Sequence, residues 1–182
     1  MKLVILDRDG VINEDSDEFI KSPDEFIPIR SSLEAIARLN HAGYQVVIIT
    51  NQSGIARKYL DIAVLNNIHD KLRISLAAIG GSVEAILYCP HGPVDHCECR
   101  KPKTGLFQEL MQRFRLESLA GVYAVGDSQR DLEAASAVGA LPVLVKTGKG
   151  RRTLMNERLP ENTLVFDNLS DVVDNLLVDN VR

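Results

Sequence analysis

Six short runs of aliphatic and β-branched residues recur along the chain between longer amphipathic segments: Leu3 to Leu6, Val46 to Thr50, Val83 to Tyr88, Val122 to Val125, Pro142 to Val145 and Leu164 to Phe166. Apolar runs this short and this continuous are strands buried on both faces, which a parallel sheet covered by helices provides. The periodicity between them predicts helices over Ser32 to His41, Ile62 to Ile79, Leu106 to Phe114, Leu132 to Val138 and Val172 to Leu177, the last with Ser170 as its N-cap. The alternation therefore predicts an α/β fold, a doubly wound parallel sheet. In such sheets ligands bind beyond the carboxyl ends of the strands, near the point where strand order reverses. Polar residues gather at those ends. Asp7 and Asp9 follow the first run, Thr50 and Asn51 close the second, Cys89 and His91 follow the third, and Gly126 and Asp127 follow the fourth.

No internal repeat, low-complexity tract or linker divides the 182 residues, so residues 1–182 are expected to form one domain. The charge sum of 21 minus 25, or −4, with a pI near 5.6, leaves no broad basic face for nucleic acid, and none is expected as a partner. No run approaches the roughly 20 apolar residues of a membrane span. Asp7, Arg8 and Asp9 interrupt the first apolar run before it could act as a signal peptide. A cytoplasmic monomer acting on a small molecule is the expectation.

In Asp7-Arg8-Asp9-Gly10 two carboxylates leave a strand on the same side, because alternate residues of an extended chain face alike. A hard divalent cation relieves their repulsion, and Mg²⁺ takes oxygen ligands while keeping positions open for water and phosphate. For a lone pair of aspartates, a turn in a solvated loop is at least as good a reading. The stretch from Gly126 to Asp131 shifts the balance with a second pair of carboxylates after another strand. Asp127 would complete an oxygen cage; Asp131 would hold a metal-bound water or favour the helix N-terminus, and both roles stay open. Thr50-Asn51-Gln52-Ser53-Gly54 offers hydroxyls, an amide and backbone N–H groups to a phosphoryl oxygen, where the alternative is a polar turn. Arg100-Lys101-Pro102-Lys103 places three cations ahead of a helix, to offset the phosphate and carboxylate charge, where the alternative is a solvated basic loop. Lys146 to Arg152 invites a P-loop reading and fails it, with Val143 where Gly is required and Gly150 where Ser or Thr must follow the lysine. It reads as a flexible basic loop at the pocket rim.

All three cysteines lie in Cys89-Pro90-His91 and Cys97-Glu98-Cys99. Each pair has the two-residue spacing that puts side chains on one side of an extended strand, and a reversal through Gly92 and Pro93 would bring three thiolates and an imidazole to tetrahedral Zn²⁺. Four protein ligands leave no open position, so this zinc is structural: it orders a loop over 89–99 and fixes the adjacent Arg100 and Lys101. His96 is the alternative fourth ligand; chance clustering or a strained Cys97 to Cys99 disulfide is the alternative to a metal site.

Taken in order, these pieces resemble the haloacid dehalogenase (HAD) superfamily of phosphotransferases, from Asp7 and Asp9 through Thr50 and Lys101 to Asp127 and Asp131. The resemblance implies that Asp7 is the nucleophile that forms an aspartyl-phosphate and that Asp9 is the acid for the leaving oxygen, then the base for water. It implies phosphoryl binding by Thr50 and Lys101, and Mg²⁺ held by Asp7, Asp127 and the backbone carbonyl of Asp9. The superfamily's lysine directly precedes a proline, which selects Lys101 over Lys103. Forty residues between Asp9 and Thr50 leave room for a flap and a helix but no inserted cap domain, so an open site is expected.

A zinc loop leading into Cys-x-Cys-Arg-Lys-Pro, here Cys97 to Pro102, is common to histidinol-phosphate and heptose-bisphosphate phosphatases. Asp7 to Asn13, Asp15 to Glu18 with Ile20-Lys21-Ser22, and Thr50 to Arg57 are similar to the heptose-1,7-bisphosphate 7-phosphatases, with Lys58 departing from an expected Gly. That likeness implies removal of the 7-phosphate of D-glycero-D-manno-heptose 1,7-bisphosphate on the route to lipopolysaccharide. It places Asp15, Ser16, Asp17 and Glu18 near the sugar, Thr50, Asn51, Gln52 and Ser53 near the transferred phosphate, and Arg100 and Ser128 near the rest of the substrate. Histidinol phosphate and a nucleic-acid 3′-phosphate are rival substrates. A non-catalytic phosphate-binding module is the rival of another class.

Overall fold

The computed structural model describes residues 1–179. Its elements alternate: β1 (Leu3–Leu6), α1 (Arg30–His41), β2 (Gln45–Asn51), α2 (Ile62–Ala77), β3 (Ala85–Cys89), α3 (Gly105–Phe114), β4 (Tyr123–Gly126), α4 (Gln129–Ala137), β5 (Leu141–Val145), α5 (Gly150–Asn156), β6 (Leu164–Phe166) and α6 (Leu169–Asp179). The strands pair in the order β3-β2-β1-β4-β5-β6, every pair parallel.

Successive strand residues feed opposite cores. Val4, Leu6, Val46, Ile48, Val125 and Val143 turn to one face and meet Ile36 and Leu39 of α1, Leu65, Ile68 and Leu72 of α2, and Val172 and Val173 of α6. Leu3, Ile5, Val47, Ile49, Leu87 and Ala124 turn to the other face, against Leu106, Phe107 and Leu110 of α3 and Ala134 and Ala135 of α4. Each fully buried Leu, Ile or Val contributes about 1.5–3 kcal/mol, which is why both faces must be covered. The chain winds outward in both directions from the β1/β4 pair, so the strand order reverses there, and Asp7 and Asp127 leave adjacent strands into one crevice.

The segments that follow β1, β2 and β3 carry no helix or strand of a cap domain among the described residues. Among the described residues, no helix is long and apolar enough to cross a membrane.

Three helix starts depart from the sequence expectations, two through polar caps and one through close backbone packing. α4 begins at Gln129 instead of Leu132 because Asp131 accepts from the backbone N–H and the hydroxyl of Ser128, a cap that apolar periodicity does not register. α6 begins at Leu169, so Ser170 is not its N-cap; Asn168 is, its Oδ1 accepting from the Asp171 N–H at 3.1 Å. The basic segment expected to be a flexible loop closes into α5. A Cβ at Gly150 would lie 1.7 Å from the Val145 carbonyl oxygen, so only glycine lets this helix begin so close to β5.

Asn168→Ala is expected to lower the unfolding free energy by about 1 kcal/mol, and Ser170→Ala by less than about 0.5 kcal/mol, in urea titrations. The reverse ranking would return the cap to Ser170.

Candidate active site

Lys101 is buried in the crevice, 3% exposed. Its Nζ lies 2.9 Å from Asp7 Oδ1 and 2.7 Å from Asp131 Oδ1, and donates to the Ile49 carbonyl at 2.6 Å. Burial alone would lower its pKa, but Asp131 and Asp7 outweigh burial and hold it above the usual lysine range. Asn51 fixes the backbone that carries it: the amide Nδ2 donates to the Lys101 carbonyl and Oδ1 accepts from the Lys101 N–H, each at 3.1 Å.

Asp127 is built in by backbone. Its Oδ2 accepts from the Lys149 N–H at 2.7 Å, and its carbonyl accepts from Thr153 Oγ1 at 2.9 Å. Gly10, at φ +82°, approaches so closely that a Cβ there would sit 2.1 Å from Asp127 Oδ2. One carboxylate oxygen from each of Asp7, Asp127 and Asp131 lies within 4.8 Å of the others. Three carboxylates against one ammonium leave two negative charges in a buried, all-oxygen cluster, the donor set and the charge that a hard divalent cation matches. Without it the site resists ionisation. Burial, then Asp131 and Asp7, push the Asp127 carboxyl up to about 8. Burial pushes Asp7 up to about 6, with Lys101 working against it and Asp131 and Asp9 reinforcing it.

Asp9 behaves oppositely. Burial would raise its pKa, but Arg8, with hydrogen bonds from Asn13 and Gln52, holds it below the usual carboxylate range. Arg8 Nη2 lies 2.8 Å from Oδ1, Asn13 Nδ2 donates to Oδ1 at 3.0 Å, and Gln52 Nε2 donates to Oδ2 at 3.0 Å. The adjacent carboxyls are therefore held in opposite ways: Asp7 is disfavoured and Asp9 favoured as the carboxylate.

These groups open into a cavity of about 230 Å³ whose wall includes Asp15, Ser16, Asp17, Asn51, Gln52, Ser53 and Arg100. Thr50 lies beneath, its Oγ1 accepting from Gln52 Nε2 at 3.0 Å. Glu18 and Ser128 do not reach this wall: Glu18 is exposed, and Ser128 is buried at the head of α4 beside a neighbouring cavity of about 390 Å³. Of the two roles left open for Asp131, the capping of α4 is realised in its bonds with Ser128. Sequence reasoning missed Arg57 and Arg130, which also line the wall. Lys149, in the basic segment expected at the pocket rim, lines it too; its Nζ reaches Asp15 Oδ2 at 2.8 Å and ties the flap to the α5 segment.

At the end of β3, Cys89 Sγ is 3.0 Å from Cys99 Sγ, 3.6 Å from Cys97 Sγ and 3.7 Å from His91 Nδ1. Tetrahedral zinc with bonds near 2.3 Å sets its ligand atoms about 3.8 Å apart, so the four groups fit that ion with small adjustments. His91, not His96, belongs to the cluster.

A family model described as HAD-hydrolase-like matches residues 98–172. The chain is 56% identical over 177 residues to the D-glycero-β-D-manno-heptose-1,7-bisphosphate 7-phosphatase of Bordetella bronchiseptica, covering 97% of this chain and 98% of that one. It is 58% identical over 175 residues to the protein of that name from Pseudomonas aeruginosa, covering 96% and 97%. The solved structure of the B. bronchiseptica phosphatase, complexed with magnesium and phosphate, superposes with a TM-score of 0.96 at 55% identity and covers 98% of this chain and 99% of that one.

Two outcomes follow from these charges and ligands. Asp127 and Asp7 titrate far above their ordinary 3.8, so between about pH 4 and pH 8 the folded protein binds more protons than the unfolded one. Without Mg²⁺ the melting temperature should fall across that range, and the gain on adding millimolar Mg²⁺ should be larger at about pH 8 than at about pH 5. A gain that shrinks with pH would contradict the cluster's electrostatics. Stripping the cysteine site with a chelator should release about one zinc per chain and lower the melting temperature in the presence of excess Mg²⁺. Freshly purified protein free of zinc would refute that site.

Proposed function

The chain belongs to the D-glycero-β-D-manno-heptose-1,7-bisphosphate 7-phosphatase family of HAD-like hydrolases, and from that premise we propose that it removes the 7-phosphate of this β-heptose bisphosphate, giving heptose 1-phosphate and inorganic phosphate. The observation that carries the substrate is the placement of cations. Lys101 lies at the cavity floor beside Asp7, and Arg57, Arg100 and Arg130 line the wall, so the cavity offers one place for a phosphoryl group and a second for the phosphate left behind. Histidinol phosphate would bring an ammonium to that wall, which the arginines repel. A module that merely binds phosphate has no use for the pairing of Asp7 with Asp9.

In the first half of the reaction an Asp7 oxygen bonds to phosphorus and the bond to the sugar oxygen breaks, its electron pair leaving with that oxygen, which Asp9 protonates. Asp9 takes up that proton as the phosphate's charge enters beside it, since like charge disfavours the carboxylate form. In the second half Asp9 accepts a proton from water, the water oxygen bonds to phosphorus, and Asp7 leaves as a carboxylate. Lys101 and Thr50 hold the phosphoryl oxygens, with Gln52 and Ser53 beside them. Mg²⁺ would be held by the carboxylates of Asp7 and Asp127 and the Asp9 carbonyl, Asp131 would hold a water beside it, and the ion would supply charge that offsets the phosphoryl oxygens. Zn²⁺ would be held by Cys89, His91, Cys97 and Cys99 and would fix Arg100 and Lys101. Ligands that must stay reduced suit the cytoplasm. A single-domain monomer is the simplest carrier of this site.

Asp7→Asn should lower kcat by at least about 10⁴-fold while the protein stays folded. Wild-type kcat/KM for the β-bisphosphate should exceed that for histidinol phosphate by about 10²-fold or more. A folded, active Asp7→Asn protein would overturn the covalent route, and a preference for histidinol phosphate would overturn the substrate.

A further inference from the structure

Arg8 lies in sequence between the two catalytic aspartates and is the largest fully buried side chain among the described residues. Its Nε and Nη2 both donate to Asp9 Oδ1, at 3.1 and 2.8 Å, and Nη2 also reaches Oδ2 at 3.1 Å. The guanidinium stands over the buried Phe26 ring, 5.9 Å from its centroid, and Nη1 lies 3.4 Å from Nε2 of His69 on α2. His69 is itself buried, and burial followed by the charge of Arg8 pushes its pKa down to about 3. The imidazole is therefore neutral at working pH and presents Nε2 as an acceptor to the arginine N–H.

A guanidinium taken wholly out of water is costly unless its geometry with a partner is nearly ideal. Arg8 contributes nothing to the cavity wall, so phosphate binding does not account for it. What it does is grip Asp9 by a fork. Asn13 and Gln52 hold the same two oxygens from other sides, and the α2 helix braces the arginine through His69.

We propose that Arg8, braced by His69, is a positioning residue: it fixes the Asp9 carboxyl in one orientation and so serves proton transfer at the leaving oxygen, without contributing to phosphate binding. The inference rests on the phosphatase reading of Asp9. It has a consequence that depends on the leaving group. A sugar oxygen leaves as an alkoxide and needs the proton, whereas p-nitrophenolate leaves without one.

The test compares first-turnover rates of the full chain with saturating Mg²⁺, on heptose 1,7-bisphosphate and on p-nitrophenyl phosphate, by rapid quench. Arg8→Lys keeps the charge and loses the fork. It should slow the first turnover of the sugar phosphate by about 10-fold or more, leave its KM within about 3-fold, and leave release of the first nitrophenolate within about 3-fold. Steady-state nitrophenolate release should then lag behind that first burst, because hydrolysis of the aspartyl-phosphate still needs Asp9 as base. His69→Leu should shift the ratio of the two first-turnover rates in the same direction, and His69→Gln, which restores an acceptor, should recover most of it. If both substrates slow equally, or neither slows, Arg8 only supports the fold and the inference is overturned. If the wild-type protein turns over neither substrate, the phosphatase reading fails and takes this inference with it.

Discussion

Four parts of the chain meet at the Lys101 ammonium. β1 delivers Asp7, β2 delivers the Ile49 carbonyl, the start of α4 delivers Asp131, and the loop after β3 delivers the lysine itself. A buried ammonium is tolerable only when its partners are all in place, and removing one from such a set costs about 3–5 kcal/mol because the remaining charge is uncompensated. The geometry of the site is thus tied to the order of the sheet. The β1/β4 pair at the reversal of strand order puts two carboxylates in one crevice, and Asn51 sets the loop that brings in their counter-charge.

The cluster is not arranged for stability. Asp127 and Asp7 are held in surroundings that disfavour their ionised forms, with Gly10 leaving no slack around Asp127. An ordinary core would not keep three carboxylates together. The surplus of negative charge makes sense as half of a site whose other half is a divalent cation and the phosphoryl group it accompanies. Asp9 stands outside that logic, since donors on both its oxygens favour its charged form. The contrast between neighbouring aspartates fits the division into nucleophile and acid–base that we propose for them.

Much of this was legible in the sequence. Six apolar runs gave the sheet because buried parallel strands have no polar face to disguise them; Asp7, Asp9 and Asp127 stood out because each follows a strand, and Lys101 because it stands in a cluster of cations directly before a proline. The spacing of Cys89 and His91 pointed to the correct histidine for the same geometric reason. The polar first turns of α4 and α6 and the short α5 were not legible, since they are held by caps and by close backbone contact instead of an apolar stripe. Arg8 and His69 stayed hidden because a sequence does not distinguish an arginine in solvent from one that is fully buried. Arg130 reaches the cavity only through tertiary contacts, and Glu18, adjacent to residues that line it, turns away.

Calorimetric titration of the Mg²⁺-free protein with Mg²⁺, repeated in buffers of different ionisation enthalpy, measures directly whether this carboxylate cluster is shaped by the need for a cation. With Asp127 pushed up to about 8, binding at neutral pH should release about one proton per ion, and the release should fade toward zero by about pH 9. Binding without proton release at neutral pH would mean that the carboxylates are already ionised in the free protein, and the electrostatic account of the site would be wrong.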